Sequence, residues 1–326
     1  MSQFSTPDSQ STLPSPLSWL HSLWKFSRPH TIIGTTLSVV ALYLIALATT
    51  DSSPTMNNLG ALLAALIACW CGNIYIVGLN QLEDVAIDKV NKPHLPLAAE
   101  EFSLRQGKWI VGITVFLALL IASFSGVWLL ATVGLSVIIG TAYSLPPIRL
   151  KRFPFWAAIC IFTVRGAVVN LGLFSHFNQK LNNHFFLPPA VWMLTLFIIL
   201  FTVAIAIFKD VPDLEGDKQY QITTFTILLG KQAVFSLARG VITISYLALI
   251  MAGFLLPNSV NLPCLLVTHL LLLGLLWWRS LQVDLGTKSE IASFYQFIWK
   301  LFFGEYLLFP IACLLNSSLI TNFLHR

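Results

Sequence analysis

Two short segments contain most of the residues that could do chemistry. In the first, Asn80, Asp84 and Asp88 are spaced i, i+4 and i+8, which places three oxygen-bearing side chains within about 80° on one helical face. Converging carboxylates repel one another unless a cation lies between them. Oxygen ligands of this kind suit Mg²⁺ bound together with a substrate phosphate. The segment therefore predicts a site for Mg²⁺ and a diphosphate group.

The second segment contains Asp210, Asp213 and Asp217 at i, i+3 and i+7. A continuous helix would again place the three side chains on one face, but Pro212 disfavours helix at Val211 and permits a bend or a restart there. Taken singly, each segment could simply be a helix end that emerges into water. Both segments fall on the same predicted side of a membrane, however, which favours one shared site.

Basic and phenolic side chains near the acidic segments could bind phosphate oxygens. Arg can donate to phosphate as a two-pronged fork, and Lys can act as a point charge. The candidates are Lys92, Tyr143, Arg149, Lys151, Lys209 and Lys218. For Arg149 and Lys151, a purely topological role as cytoplasmic charges is an equal alternative.

Arg165 differs from these residues because it lies inside an apolar stretch. A guanidinium group exposed to lipid is costly, so we expect Arg165 to face the interior of a helical bundle or an aqueous cavity. This predicts a role in the site or next to it. Asn170, five residues further on, points elsewhere and could equally join two helices.

The composition places these residues in a membrane protein. The chain has 326 residues, 56% hydrophobic and 10% charged, whereas an average soluble domain is about 25% charged. Apolar stretches long enough to cross a bilayer recur along it. They span residues 30–50, 59–80, 108–125, 127–143, 155–174, 187–208, 234–256, 260–279 and 297–318. The predicted fold class is all-α, a polytopic bundle of nine transmembrane helices over residues 19–326. Residues 1–18 are predicted to be a disordered tail. The membrane domain is predicted to begin with an interfacial helix from Trp19 to Phe26.

The distribution of basic residues orients this bundle. If the N-terminus is cytoplasmic, 16 of the 19 Lys and Arg residues lie on that side, two lie outside, and Arg165 lies within a span. This asymmetry follows the positive-inside rule and supports nine crossings. The positive charge is therefore explained by topology and by lipid headgroups, and no nucleic-acid motif accompanies it. The five cysteines lie in apolar stretches without metal-ligand spacing, so we interpret them as small core residues.

The motifs resemble those of the UbiA superfamily of intramembrane aromatic prenyltransferases. The resemblance covers roughly residues 24–320 and includes, besides the acidic motifs, residues 26–35, 91–98, 143–147 and 209–218. It implies a UbiA-type fold in which both acidic motifs bind a diphosphate through Mg²⁺. The metal ligands that it implies are Asn80, Asp84, Asp88, Asp210, Asp213 and Asp217, with Asp84, Asp210 and Asp213 foremost in catalysis. Glu83 departs from the family, in which a bulky aromatic residue is common at this position.

Within this superfamily, the motifs are most similar to those of members that prenylate homogentisate. That similarity implies transfer of a phytyl group from phytyl diphosphate to homogentisate, with loss of CO₂, to give 2-methyl-6-phytylbenzoquinol for tocopherol biosynthesis. The implied partners are these two small molecules and the lipid bilayer, and no protein partner is predicted. Since residues 1–18 lack the features of a signal or transit peptide, we expect the plasma or thylakoid membrane of a photosynthetic prokaryote.

Three alternatives remain open from the residues alone. Another aromatic prenyltransferase could use geranylgeranyl or solanesyl diphosphate. A cation-coupled transporter would also place acids in membrane helices, but usually near the midplane and in repeated halves. A structural scaffold would leave the paired acidic segments unexplained.

Overall fold

The protein is built from helices. In this computed structural model the described residues are 16–182, 186–219 and 223–317, and helices are the only regular secondary structure among them. The α-helices are α1 (Pro16–Phe26), α2 (Pro29–Thr50), α3 (Met56–Glu83), α4 (Val85–Asn91), α5 (Leu104–Ser125), α6 (Val127–Ser144), α7 (Pro154–Phe162), α8 (Val169–Asn182), α9 (Pro189–Phe208), α10 (Leu214–Gln219), α11 (Phe225–Leu229), α12 (Lys231–Leu255), α13 (Leu262–Ser280) and α14 (Lys288–Leu314). A 3₁₀ turn (Leu150–Arg152) precedes α7, and a π-helical turn (Thr163–Val168) joins α7 to α8.

Nine segments of the described chain are long and apolar enough to cross a membrane. Eight are single helices, namely α2, α3, α5, α6, α9, α12, α13 and α14. The ninth is the continuous run Pro154–Asn182, which combines α7, the π-helical turn and α8. The predicted all-α class and the predicted nine spans are confirmed, and the protein is an integral, multi-pass membrane protein.

Two spans extend more than two helical turns past a predicted end. The fifth was expected to end at residue 174 but continues to Asn182, and the ninth was expected to begin at 297 but begins at Lys288. The additional turns contain polar residues, which end an apolar window. In α8, His176 and Asn178 are 1% and 3% exposed, because they pack against protein rather than lipid. Hydropathy alone cannot distinguish a buried polar turn from a loop.

The N-terminal segment only partly follows the prediction. Of the tail expected at 1–18, residues 1–15 lie outside the described residues, whereas 16–18 form the first turn of α1. Leu20 and Trp24 of this helix are 56% and 46% exposed. A short helix with exposed apolar side chains just before the first span is consistent with an interfacial location.

Helices α2 and α9 occupy the centre of the bundle. In their most apolar windows, 61% and 72% of the residues are buried, against 17% in α13. Leu271 of α13 is 63% exposed, as expected for a side chain that faces lipid. Because α9 ends at Phe208, Lys209 and Asp210 emerge from the middle of the bundle rather than from its edge.

Three connecting segments meet at one end of the bundle. Lys92, directly after α4, pairs with Asp213 just before α10. Arg149, just before the 3₁₀ turn, pairs with Asp84 between α3 and α4. These contacts bring the two acidic segments together at one end of the bundle, as the prediction of a shared side requires.

A buried polar pair joins α13 to α14 inside the bundle. Nε2 of His269 lies 3.0 Å from Oε2 of Glu305, and both side chains are completely buried. Nδ1 of His269 lies 2.7 Å from the carbonyl oxygen of Leu265 and must donate to it, since a carbonyl only accepts. The contact with Glu305 therefore needs a second proton, on Nε2 or on the carboxyl group. Such a pair inside a membrane protein is expected to be structurally important.

We predict that His269→Leu lowers the free energy of unfolding by about 1–3 kcal/mol, because it leaves the buried Glu305 carboxyl group without its partner. The double variant His269→Leu/Glu305→Leu should cost less than this single variant, since no polar group is then left unsatisfied. Thermal unfolding of the purified protein measures both. A double variant less stable than His269→Leu would contradict the prediction.

Candidate functional site

The first acidic segment lies where α3 meets α4. α3 ends at Glu83, α4 begins at Val85, and Asp84 lies between them with φ −116° and ψ 16°. The expected continuous helix through Asn80, Asp84 and Asp88 is therefore wrong, because the helix is interrupted at Asp84. The backbone N–H of Asp88 nevertheless donates to the carbonyl oxygen of Asp84 at 2.8 Å. This bond holds the two aspartates one turn apart.

The second acidic segment is also discontinuous. α9 ends before Asp210, and α10 begins directly after Asp213 and contains Asp217. The intervening turn includes Pro212, where the sequence permits a bend. The backbone N–H of Asp217 donates to the carbonyl oxygen of Asp213 at 3.1 Å. The spacing of the three aspartates therefore reflects a turn followed by a short helix.

Asp84 is paired with two cations from the segment that follows α6. Arg149 Nη2 donates to Asp84 Oδ1 at 2.9 Å, and Lys151 Nζ donates to Oδ2 at 2.5 Å. The three side chains are 12% to 25% exposed, so their charges are only weakly screened by water. The sequence could not decide between a site role and a topological role for these two cations. The structure places both at the first acidic segment.

The second acidic segment has cations of its own. Lys92 pairs with Asp213, and Lys209 Nζ donates to Asp210 Oδ1 at 2.5 Å. The Lys92 pair joins residues that are 121 positions apart in the sequence. It thereby fixes the end of α4 against the turn before α10.

Two aspartates are more deeply buried than the others. Asp88 and Asp217 are 5% and 6% exposed, and Oδ2 of Asp88 has no hydrogen-bond partner among the described residues. Burial raises the pKa of the Asp88 carboxyl group. Burial, together with the negative charges of Asp210 and Asp213, raises the pKa of Asp217 to about 7. Both carboxylates would therefore be stabilised by an added cation.

The donor set at this end of the bundle fits Mg²⁺. Within the part of the chain that the structure describes, no three His, Cys, Asp or Glu side chains lie close enough together to hold one ion. Mg²⁺ does not require such a cage, since it commonly binds through one or two carboxylates together with waters and substrate phosphates. The unpartnered oxygen of Asp88 and the buried carboxyl group of Asp217 are suitable ligands of this kind.

Arg28 belongs to the same site, although the sequence analysis did not select it. Its Nη2 lies 3.5 Å from Oδ1 of Asn80, and its charge acts on Asp88. Arg28 and Arg149 have φ angles of 53° and 39°, in the left-handed region that residues with a Cβ rarely adopt. Backbone strain of this kind is concentrated at functional sites. The sequence does contain a feature that could have indicated Arg28. It lies directly before Pro29 and the first span, on the predicted side of the acidic segments.

Of two further residues predicted to bind phosphate, the structure places Tyr143 near the acidic segments but not Lys218. Tyr143, near the end of α6, is close enough to Lys209, Asp210 and Asp84 to interact with them electrostatically. It is therefore within electrostatic reach of both acidic segments. Lys218 is exposed on α10 and forms no ion pair with any described residue, so the structure does not bring it into the site.

Arg165 faces the protein interior, as the sequence predicts. Its guanidinium carbon lies 4.7 Å from the ring centroid of Trp299 and 5.4 Å from that of Phe302. Both rings belong to α14 and are at most 3% exposed. On the other side α2 approaches closely, since a Cβ added at Gly34 would lie 3.6 Å from Nη1 of Arg165. The guanidinium group thus lies between α2 and α14.

The π-helical turn that contains Arg165 is supported by a side chain. Asn170 Nδ2 donates to the carbonyl oxygens of Gly166 at 2.6 Å and Arg165 at 3.2 Å. The hydroxyl of Tyr306 donates to Asn170 Oδ1 at 2.9 Å. Asn170 therefore both joins two helices and stabilises the backbone of Arg165. Single π-helical turns are frequent at functional sites.

Comparison with known proteins gives a consistent result. Residues 36–301 match the UbiA prenyltransferase family. A homogentisate phytyltransferase from Synechocystis is 56% identical over 93% of this chain and 99% of its own length. Homogentisate phytyltransferase 1 of Arabidopsis thaliana is 41% identical over 93% of this chain and 78% of its own length. A homogentisate geranylgeranyltransferase from Hordeum vulgare is 39% identical over 89% of this chain and 72% of its own length.

Solved structures share the fold at low sequence identity. A digeranylgeranylglyceryl phosphate synthase superimposes with a TM-score of 0.61 at 19% identity, covering 90% of this chain and 98% of that one. A UbiA homolog from Archaeoglobus fulgidus bound to GPP and Mg²⁺ gives a TM-score of 0.59 at 16% identity, covering 90% and 99%. At these identities the likeness establishes the helical architecture alone.

We predict that Mg²⁺ together with inorganic diphosphate raises the melting temperature of the purified protein by about 5 °C or more at saturating concentrations. Asp88→Asn and Asp217→Asn should each lose most of this shift, because each removes a buried negative charge that would hold the cation. Glu100→Gln is the matched control, since Glu100 is exposed and pairs only with Lys89 at the surface. Equal shifts in all three variants would contradict the assignment.

Proposed function

Because the chain belongs to the UbiA prenyltransferase family, we propose that it transfers the phytyl group of phytyl diphosphate to homogentisate. The products are 2-methyl-6-phytylbenzoquinol, CO₂ and diphosphate. The proposal is supported by the high identity to the Synechocystis homogentisate phytyltransferase over nearly the full length of both chains. Family membership selects a membrane prenyltransferase over the alternatives of a cation-coupled transporter and a scaffold.

The main structural support is the concentration of charge at one end of the bundle. Two acidic segments meet there with five cations, Arg28, Lys92, Arg149, Lys151 and Lys209. A diphosphate needs this combination, because Arg and Lys donate to its oxygens. Mg²⁺, held by carboxylates of the two acidic segments, would supply positive charge that stabilises the diphosphate as it leaves. The remaining chemistry belongs to the substrates and to residues further inside the bundle.

The interior next to the charged end is aromatic. His30 of α2 and Trp299 of α14 have ring centroids 4.9 Å apart, and Tyr295 lies 6.4 Å from Trp299. Aromatic faces stabilise a neighbouring positive charge, as would develop on the allylic carbon when its bond to the diphosphate breaks. Aromatic side chains around the reacting carbon would also keep out water, which could otherwise capture it. Such surroundings favour attack by an electron-rich aromatic ring.

The proposed reaction balances without a further reactant. The allylic C–O bond of phytyl diphosphate breaks, and a ring carbon of homogentisate forms a new C–C bond. The bond between the side-chain methylene and the carboxyl group breaks to release CO₂. The ring proton displaced by the new bond is matched by the proton that the methylene gains on becoming a methyl group. The role of the chain is therefore to bind, orient and shield the two substrates.

Products of the purified protein test the proposal directly. The protein is incubated with Mg²⁺, homogentisate and equal concentrations of phytyl, geranylgeranyl and solanesyl diphosphate, and products are identified by mass. The expected main product is 2-methyl-6-phytylbenzoquinol. A predominant geranylgeranyl product would instead match the activity named for the Hordeum relative. Absence of any prenylated homogentisate, with product formed on another aromatic acid, would refute the proposed acceptor.

We predict that Asp84→Asn and Asp213→Asn each lower turnover by about 100-fold or more while the protein stays folded. Asn keeps the size of the side chain but removes the negative charge, so the stabilisation of the leaving diphosphate is weakened. The two losses should be far from additive in the double variant, because both residues act on one diphosphate.

Glu215→Gln is the matched control for these variants. Glu215 belongs to the second acidic segment, but its side chain is 80% exposed and contacts Lys288 at the surface. Its removal should leave turnover within about twofold of wild type, as expected for an exposed ion pair. Near-normal turnover of Asp84→Asn and Asp213→Asn at saturating Mg²⁺, with equal expression, would refute the roles of these two aspartates.

A further inference from the structure

The guanidinium group of Arg165 lacks a counterion. It forms no ion pair and no hydrogen bond with any described residue, and its contacts are the ring faces of Trp299 and Phe302. By contrast, four cations of the charged end are paired with aspartates, namely Lys92, Arg149, Lys151 and Lys209. A guanidinium group inside an apolar bundle, with five N–H donors and no acceptor, is costly unless a ligand supplies one.

The ring of Trp299 connects Arg165 to further aromatic side chains. Trp299 is 3% exposed, and its ring centroid lies 6.4 Å from that of Tyr295, one turn earlier on α14. The Trp299 ring lies under the Arg165 guanidinium and also contacts the ring of His30. A cationic donor without an acceptor within one aromatic enclosure indicates a ligand that is both an acceptor and planar.

This enclosure adjoins the charged end without being part of it. His30 is within electrostatic reach of Arg28, Lys92 and Arg165. Tyr295, one turn before Trp299 on α14, is within reach of Lys209, Asp213 and Arg165. His30 and Tyr295 therefore form an aromatic layer that is close both to Arg165 and to the charged groups of the site. A ligand held by Arg165 would place its ring in that layer.

Contacts from neighbouring helices fix the backbone of the π-helical turn that contains Arg165. Asn170 satisfies two carbonyls of the π-helical turn and is itself fixed by Tyr306. Gly166 lies so close to α9 that an added Cβ would be 2.4 Å from Ile199. These contacts fix the register of the turn and hence the direction of the guanidinium group.

We propose that Arg165 binds the carboxylate of the aromatic acid acceptor. The inference rests on the proposed function, to which it adds the group that selects an acid over a neutral phenol. Arg matches a carboxylate with two parallel hydrogen bonds, and the rings of His30, Trp299 and Tyr295 provide faces for the aromatic ring. Because Arg165 stabilises the carboxylate form, its contribution is to binding and orientation rather than to the loss of CO₂.

The test compares Arg165→Gln with a matched arginine elsewhere. Arg239 of α12 also lies in a membrane helix between a Trp and a Phe, with its guanidinium carbon 4.5 Å from the Trp277 centroid and 5.7 Å from that of Phe235. Arg165→Gln should raise the KM for homogentisate by about 10- to 100-fold, the effect of losing a charge-assisted hydrogen bond. The KM for phytyl diphosphate should stay within about twofold. Arg239→Gln should leave both values unchanged, and Arg165→Lys should recover part of the loss.

A binding measurement keeps this test independent of turnover. Quenching of tryptophan fluorescence would report the affinities of homogentisate and of its neutral amide for wild type and for Arg165→Gln. Wild type should prefer the acid by about tenfold or more, and the variant should bind both compounds equally weakly. Should wild type fail to prenylate homogentisate, a panel of aromatic acids and their amides in the same assay would still test Arg165 while refuting only the proposed acceptor.

Three results would overturn the inference. One is a rise in the KM for phytyl diphosphate with no change for the acceptor, which would assign Arg165 to the diphosphate. Another is an unchanged preference for acid over amide in Arg165→Gln. The third is a loss of melting temperature in Arg165→Gln without any change in either KM, which would assign a purely structural role.

Discussion

The structure depends on ion pairs formed between chain segments where charged groups leave the apolar bundle. Asp84 is paired with Arg149 and Lys151, and Lys92 is paired with Asp213. Charges in such partly buried positions are stable only when they are compensated. Each pair joins segments that follow different spans, so the same contacts that neutralise the site also fix the ends of α3, α6 and α9 relative to one another.

The site has two levels that differ in chemistry. At the end of the bundle, carboxylates and cations are paired. Further inside, Arg165 is surrounded by aromatic rings and has no carboxylate partner among the described residues. The boundary between the levels is formed by His30 and Tyr295, which are within electrostatic reach of both. This division is what a reaction between a diphosphate and an aromatic acid requires.

The fold follows from the sequence where the physical cause is local. Span number and the discontinuity at Gly126 between α5 and α6, with a φ of 129°, depend on apolar length and on one residue's backbone freedom. Predictions failed where a neighbouring helix changes the environment. α8 continues past residue 174 because His176 and Asn178 are buried against protein, and the helix through Asp84 is interrupted although its spacing is helical.

The sequence by itself determined that the chain is a membrane bundle with two acidic segments on one side and a buried arginine in its fifth span. Those conclusions need only apolar length, charge position and spacing, which are properties of neighbouring residues. Only the tertiary structure decided that Arg28 joins the site, that Lys218 does not, and that the Arg165 guanidinium has no acceptor among the described residues. Each of these depends on distances between residues far apart in the chain, such as the 52 positions between Arg28 and Asn80, and helix packing alone sets such distances.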